Sequence, residues 1–494
     1  MSAISNEVRK GFYLDSVALM RLSRTIAAMP GVAEAALMMG SASNKQILRD
    51  AKLLGSAGEA AHANDLIVAV RAKSGAAARA AVDDALQQLD APRRSGRDAA
   101  MRKPRTLRAA LGLLPGANLA LISVPGEFAV AEARKAIRNG LHAMIFSDNV
   151  PLDDERVLKQ EACALGRLVM GPDCGTALIN GVPLAFANRV PRGDIAIIGA
   201  SGTGMQEIMC LIARGGKGIS HAIGVGGRDL GAQVGGLSTL MAIDALDADP
   251  TTRHIVIVSK PPHAGVAAKV LARVAASKKR FTICFIGGEA VTVPVNAALA
   301  RTLEAAAQDT LGAPVGVTPM LLDDRARRRP GTIRGLFCGG TLCAEAQVVL
   351  AGKDRHVASN VPVPGSTRLD DAGERHDRLI DLGGDAYTRG RPHPMIDPSV
   401  RDDALRDALN DQTVGAILID VVLGHGAHAN PAGRLADVLA AHGAGGAAVV
   451  ASVTGTEDDP QCRSSQLAQL AQAGVLVAAS NAQAAELALA LCRV

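Results

Sequence analysis

The sequence predicts an α/β protein: a small α+β unit at the N-terminus, a partial Rossmann-like domain, and two flavodoxin-like doubly wound units. Three observations carry that expectation. Short apolar runs such as Ile195 to Ile198, His254 to Val258 and Ala416 to Val422 alternate with helix-patterned segments, as strands of a parallel sheet do. Many of these runs end in small residues where a strand hands over to a helix, as at Gly199-Ala200-Ser201-Gly202-Thr203-Gly204. The 494 residues suffice for three or four domains at roughly 100–200 residues each.

Taken in order, Val8 to Leu14 has strand character, and Asp15 or Ser16 can cap a helix to about Met29. Val32 to Met39 and Asp65 to Arg71 are strands, and helices start at about Asn44 and Ala76. That order suggests a ferredoxin-like or ACT-like unit over residues 1–92, closed by the basic run Pro92 to Arg97, which reads as a solvated linker. A Rossmann-like region follows over 106–190. It has strands at Leu119 to Val124, Ala143 to Phe146 and Arg167 to Met170, and helices from Pro125 to Asn139 and from Leu152 to Ala164. Ligands of such sheets bind beyond the carboxyl ends of the strands. That places Pro125, Gly126 and Glu127, with Gly171 and Pro172, as candidate cofactor-binding positions.

The third unit, 191–325, runs from Ile195 through strands at His254 and Phe281 to a helix expected over Asn296 to Gln308. A charged linker, Arg325 to Pro330, leads to the fourth unit, 331–494. There Phe337-Cys338-Gly339-Gly340-Thr341 is another turn into a helix. Ala351 to Glu374 looks like an extended connection. Strand Ala416 to Val422 ends at Leu423-Gly424-His425-Gly426, ahead of a helix from about Pro431.

Composition excludes several classes. There is no Trp, with two Tyr and seven Phe, too few aromatics to stack bases, and the net charge of +5 is dispersed, so no nucleic-acid partner is expected. No apolar run reaches the roughly 18–20 residues of a membrane span, and Met1 to Glu7 lacks signal-peptide character. The eight Cys form no CxxC pair, and no HxxxH or HExxH spacing occurs. The expectation is a cytoplasmic protein with reduced thiols, no metal and no membrane contact.

The Ser201 turn carries the functional reading. A strand that turns through Ser and Gly into a helix presents unpaired N–H groups at the positive end of that helix, an anion site. Ser201, Gly202, Thr203 and Gly204 are the candidate phosphate-binding positions; no Lys follows, so this is not a Walker A loop. Gly424 and Gly426 mark a second such turn. His425 beside it can contact phosphate or carry a proton, or be a loop histidine without a role. Lys260, after a strand end, can pair with an anion or be solvated. His428, on the other side of that turn, has the same readings, and His263 is weaker; Asp229 can hold a metal or orient a group but reads first as capping a turn, Asp381 reads as turn-shaping, and nothing in the sequence places a base beside Cys174.

Gly171 to Cys174, Ile195 to Gly204, Gly224 to Asp229 and Asp249-Pro250 resemble the α subunit of succinyl-CoA synthetase. Asp381 to Gly384 and Ile417 to Gly426 resemble the carboxyl-terminal domain of its β subunit. Both pieces in one chain, behind Arg9 to Ser16, resemble the FdrA family. The resemblance implies a CoA-binding-type domain at 106–190 and two succinyl-CoA synthetase-type domains after it. It also implies two helix N-termini facing one phosphoryl site, matched to Ser201–Gly204 and Gly424–Gly426. In the synthetases a phosphohistidine loop follows the strand matching Phe281 to Ile286; here Gly287-Gly288-Glu289-Ala290-Val291 has no His. No ATP-grasp counterpart is found. FdrA-type proteins resemble a subunit of oxamate carbamoyltransferase. The resemblance thus implies carbamoyl or acyl transfer to phosphate in purine and allantoin nitrogen catabolism, with phosphate as substrate, CoA or nucleotide left open, and an oligomer or hetero-complex with other subunits. The alternatives are a nucleotide-dependent acyl-CoA ligase and a non-catalytic scaffold subunit.

Overall fold

The computed structural model describes residues 3–14, 16–91, 104, 106–316, 329–388, 392–443 and 446–492. The cap position Asp15, the basic run 92–97 and residues 325–328 of the charged linker lie outside them. The chain divides into two compact units, one of Met1–Ala143, Ser147–Val150 and Asp385–Pro392, the other of Met144–Phe146, Pro151–Gly384 and His393–Val494.

In the first unit, strands Ala3–Arg9, Leu66–Ala72 and Val32–Met39 lie side by side in that order, each neighbour antiparallel. The central strand is covered on both faces. Leu66, Val68 and Val70 pack with Leu19, Ile26 and Val82 of helices Ser16–Ala27 and Gly75–Asp90, whereas Ile67 and Ala69 pack with Leu48 and Leu53. Period-two side-chain alternation produces both clusters. The order, first–third–second, is that of a ferredoxin-like sheet without its fourth strand among the described residues. The first strand ends at Arg9 rather than continuing to Leu14: Gly11 takes a positive φ and its N–H donates to Asp65, turning the chain. Farther along come helix Leu107–Leu113, strand Leu119–Ile122 and helix Gly126–Arg138.

The second unit holds two seven-stranded sheets. The first has the order Ala297–Ala300, Arg280–Phe285, His254–Ser259, Ile195–Gly199, Ile219–Gly224, Thr176–Ile179, Val182–Ala185. The last two form an antiparallel hairpin, which the sequence reading missed, added to five parallel strands. The second sheet is parallel throughout: Thr367–Arg368, Val357–Ser359, Asp377–Asp381, Thr332–Phe337, Val414–Val422, Ala448–Thr454, Leu476–Ala478. In each sheet the order reverses beside the strand that starts the half, as in flavodoxin-like folds. The helix expected over Asn296 to Gln308 is instead edge strand Ala297–Ala300 followed by helix Leu303–Leu311, capped by Thr302. Parallel pairing with Arg280–Phe285 outweighs the helix propensity of the alanines. The segment read as an extended connection supplies two short strands of the second sheet.

Four helices, Gly202–Arg214, Leu303–Leu311, Gly340–Ala351 and Asn481–Cys492, share one apolar core with both sheets, through Ile208, Leu303, Leu342 and Ala485. Two buried glutamates tie them together. Glu345 Oε1 accepts from the first amides of helix Leu303–Leu311, Leu303 N at 2.6 Å and Glu304 N at 3.3 Å. Glu207 Oε1 accepts from Asn481 N, the first residue of the last helix, at 3.3 Å, and its Oε2 takes the Thr454 hydroxyl. Asn481 Nδ2 closes the network on Glu345 Oε2 (2.8 Å) and Leu342 O (2.9 Å).

Burial pushes the Glu345 carboxyl up to about 8; nearby Glu207 adds to the rise, while Asn481 and the two amides oppose it. A raised carboxyl pKa means that the native state holds the proton more tightly than the unfolded chain. Stability is therefore fully present below the ordinary value of 4.5 and falls as pH climbs toward 8. Glu345→Gln should flatten most of that decline, worth about 1.4 kcal/mol per pKa unit. Urea unfolding between pH 5 and 8.5 checks it; an unchanged slope in the variant rejects the assignment.

Candidate functional site

Strand Ile195–Gly199 is buried along its length and breaks at Ala200 into helix Gly202–Arg214. Ser201 caps that helix, its Oγ accepting from Gly204 N at 3.1 Å. Strand Thr332–Phe337 breaks in the same way at Cys338 and Gly339 into helix Gly340–Ala351. The two helix starts meet. Ser201 Oγ and Thr341 Oγ1 are 2.5 Å apart, and a Cβ added to Gly204 would lie 2.9 Å from Thr341 Cγ2, so only glycine allows the approach. Among the described residues the amides of Gly202, Thr203, Gly340 and Thr341 have no protein acceptor, as first-turn donors do not. Two positive helix ends thus lie together at the carboxyl edges of two sheets.

The second of these turns is held from below. Asp420, fully buried on strand Val414–Val422, accepts Cys338 N and Gly339 N, each at 2.8 Å, and is paired with Arg401. Asp381 sits beside the first turn: a Cβ on Gly340 would lie 2.6 Å from its Oδ2, and its Oδ1 accepts Gly383 N. Lys260 follows strand His254–Ser259, is exposed, and its charge reaches Cys343 in the Gly340 helix.

The Gly424–Gly426 turn expected opposite Ser201–Gly204 does lie against that helix, Leu423 O accepting from Gln206 Nε2 at 3.4 Å and from Asn188 Nδ2 at 3.1 Å, but the helix start that touches Ser201 is Gly339–Thr341. The glycines at 424 and 426 do not open a helix. The next helix starts seven residues on, at Pro431, where Asn430 Oδ1 caps Gly433 N. Meanwhile Gly424 N donates to Gln461 Oε1 (3.0 Å) and His425 N to Ala187 O (2.8 Å), so these amides are already spent on the protein. His425 Nε2 accepts from Arg189 Nε at 3.2 Å, beside Asn188 and Asp459, which hold the same loop. His428 Nδ1 accepts Asn430 N and shapes the turn.

The remaining candidates have structural surroundings. Gly126, between Pro125 and Glu127, opens helix Gly126–Arg138, but carbonyl oxygens fill the space there: a Cβ on it would lie 2.2 Å from Asp148 O. Gly171, joined to Pro172 by a cis peptide, is pressed against Ile145 O. Burial pushes the Cys174 thiol up to about 12, and its Sγ donates to Gly224 O, so it is not an activated nucleophile. Asp229 caps helix Leu237–Ala248 through Ser238 N and Thr239 N. It also pairs at 2.8 Å with the fully buried Lys159, which bonds Glu155 and Val225 O. This buried ion cluster was missed; the Glu155–Lys159 spacing of four on one helix was its only sequence signal.

The sequence matches families described as CoA-ligase over residues 336–491, CoA binding domain over 191–287, and AllF, heavy metal-associated domain, over 1–104. The CoA binding match thus falls on the Ser201 turn, not on Pro125–Glu127 or Gly171–Pro172. Residues 1–104 contain no Cys and one His, His62. A protein of Escherichia coli (strain K12), uncharacterized protein YahF, is 40% identical over 495 residues, covering 96% of each chain. The α subunit of an ADP-forming succinate–CoA ligase from Methanothermobacter thermautotrophicus is 25% identical over 29% of this chain and 48% of its own length. The ADP-forming sulfoacetate-CoA ligase subunit SauD of Bilophila wadsworthia is 26% identical over 29% and 50%. The chain therefore spans about half the length of these ligase subunits. A dinucleotide forming acetyl-coenzyme A synthetase from Ca. Korarchaeum cryptofilum, solved with phosphate and ADP, covers 76% of this chain and 82% of its own at 17% identity and a TM-score of 0.29.

Two flavodoxin-like halves, each opening on a strand–turn–helix and joined in one polypeptide, make this a protein of the succinyl-CoA synthetase-like class. Within that class, the chain belongs to the FdrA family. Among the described residues no helix is long and apolar enough to cross a membrane.

Asp420→Ala should cost about 3–5 kcal/mol, because it frees two buried amides and leaves Arg401 uncompensated. Chemical denaturation of the full chain measures this, and a loss below 1 kcal/mol would show that the Gly339 turn does not depend on that carboxylate.

Proposed function

We propose that the chain is an enzyme subunit that transfers an acyl group to phosphate, and more narrowly a carbamoyl group, as part of a hetero-complex. The observation that carries this reading is the contact of the two helix starts at Ser201 and Thr341, with first-turn amides left over on both. Phosphate held there would take hydrogen bonds from the Gly202, Thr203, Gly340 and Thr341 amides, with one further donor from the Ser201–Thr341 hydroxyl pair, whose other hydrogen is used between the two. Lys260, exposed just after strand His254–Ser259, is the candidate cation to balance its charge.

For a carbamoylated oxamate, a phosphate oxygen attacks the carbamoyl carbon and the bond from that carbon to the oxamate nitrogen breaks. The nitrogen takes up a proton, releasing oxamate and carbamoyl phosphate. The chain's contribution is to position the nucleophile and to stabilise charge with preorganised amides. His425, engaged by Arg189, is removed from the first rank of proton carriers in this reading, and the proton donor belongs to another group or a partner subunit.

A second reading, acyl-CoA ligation, is favoured by the CoA-ligase and CoA binding domain matches. It predicts CoA binding and a phosphorylated protein after incubation with ATP.

The deciding assay measures phosphate-dependent release of carbamoyl phosphate from carbamoylated oxamate, with the chain alone and with proteins encoded beside it. Gly202→Trp, whose Cβ would meet Thr176 Oγ1 at 3.0 Å and force the turn to shift, should abolish turnover in protein whose unfolding transition shows that it still folds, and Lys260→Ala should raise the phosphate KM about tenfold or more, as for loss of a charge-assisted contact. No turnover in any combination rejects carbamoyl transfer, and a phosphoprotein with bound CoA moves the assignment to the ligase.

A further inference from the structure

The turn after strand Asp377–Asp381 lies beside the start of helix Gly340–Ala351, and it meets a side chain that the sequence reading did not single out, His393. The Asp381 carboxylate spans the step between the helix start and the turn. Its Oδ2 faces Gly340, and its Oδ1 accepts Gly383 N at 2.9 Å. A Cβ added to Gly383 would lie 2.6 Å from His393 Nε2 and 2.6 Å from Cys338 O, so only glycine lets the imidazole edge come this close. Thr203 Oγ1 reaches the neighbouring turn from the first half, 2.9 Å from a Cβ on Gly339.

His393 is held in place. Pro392 and Pro394 bracket it and restrict the backbone on both sides. The side chains of Met395 and Ile396 are buried behind it, Ile396 N donates to His393 O (2.8 Å), and His428 N donates to Met395 O (2.8 Å). The ring accepts from Met395 N through Nδ1 at 3.2 Å, which leaves the ring proton on Nε2. Burial pushes the imidazole down to about 4, so at neutral pH Nε2–H is an uncharged donor. Among the described residues nothing accepts from it, and the residue is only half-buried, so a ligand at the turn can reach it.

We propose that His393 forms the acyl subsite of the candidate site, its Nε2–H donating to the carbonyl oxygen of the acyl or carbamoyl group while phosphate occupies the helix starts at Ser201 and Thr341. The inference rests on the phosphate reading of those helix starts. Two features favour a carbonyl over a second anion at His393. The Asp381 carboxylate beside the same glycine repels an anionic group and not a neutral one. An uncharged donor fixed in one tautomer suits an oxygen that gains charge only as phosphate attacks. When the phosphate oxygen bonds to the carbonyl carbon, the C=O π pair moves onto this oxygen. It returns as the bond to the leaving nitrogen breaks, and the ring proton stays on Nε2 throughout.

The test titrates the full chain, isotope-labelled at glycine and histidine, with phosphate and with phosphonoacetamide, a phosphonate that carries a neutral carbonyl. Phosphate should shift the Gly202 and Gly340 amides and leave the His393 ring in place. Phosphonoacetamide should shift the same amides and the His393 Nε2–H as well; this is read in unaltered protein, so it holds even if a variant folds poorly. His393→Asn, whose Oδ1 can still take Met395 N but which has nothing at the place of Nε2, should weaken phosphonoacetamide about tenfold and leave phosphate unchanged, about what one neutral hydrogen bond contributes. His393→Gln, which returns an N–H near that place, should recover part of the loss. Glycine shifts with phosphonoacetamide but a silent His393 ring, or equal weakening of both ligands in His393→Asn, overturns the subsite and leaves the phosphate site standing. Glycine amides that respond to neither ligand overturn the phosphate site and the subsite with it.

Discussion

The second unit rests on an exchange of helix caps between its halves. Glu345, from the second half, accepts the opening amides of the first half's last helix. Glu207, from the first half, accepts the opening amide of the second half's last helix. A helix start left unsatisfied in an apolar core is expensive, so each half needs the other's carboxylate. Both glutamates sit on the helices whose starts meet at Ser201 and Thr341. The network that joins the halves therefore also sets the spacing of the candidate site, and Asn481, bonded to both carboxylates, links the two ends of the arrangement.

Charge placement divides the polar interior into two kinds of work. Asp420 and Asp229 each use a carboxylate to hold backbone amides in place, and each is answered by one buried cation, Arg401 or Lys159. They fix turns and bring no net charge to the site edge. The first-turn amides at Gly202 and Gly340 are of the other kind, oriented dipoles with no acceptor among the described residues. Preorganised donors of this sort need no rearrangement when an anion arrives.

Much of the architecture was legible because hydrophobic periodicity is local. Val32–Met39, Leu152–Ala164 and Leu237–Ala248 fall where pattern and capping place them. What failed was decided by partners distant in sequence. Ala297–Ala300 reads as helix until a strand is there to pair with it, and the 176–185 hairpin is visible only through its ladder to Ile219–Gly224. The candidate site was half legible. Ser201 to Gly204 was found from its own residues. Gly339 and Gly424 both follow an apolar strand and both lie against the Ser201 helix, but only the Gly339 turn opens a helix that touches Ser201. The local clue that separates them is Asn430-Pro431, a cap and first-turn pair that starts the later helix well beyond Gly426. Asp420, read as one more residue of a buried strand, gave no sign that it anchors a turn eighty residues earlier.

Joining the two halves in one polypeptide changes the kinetics of their meeting. For subunits made separately, assembly is a second-order encounter that dilution reverses and unequal synthesis leaves incomplete. Here the covalent link turns that encounter into an intramolecular one. Translation fixes their ratio at one to one, and no drop in cellular protein level can pull the glutamate of one half away from the helix it serves in the other.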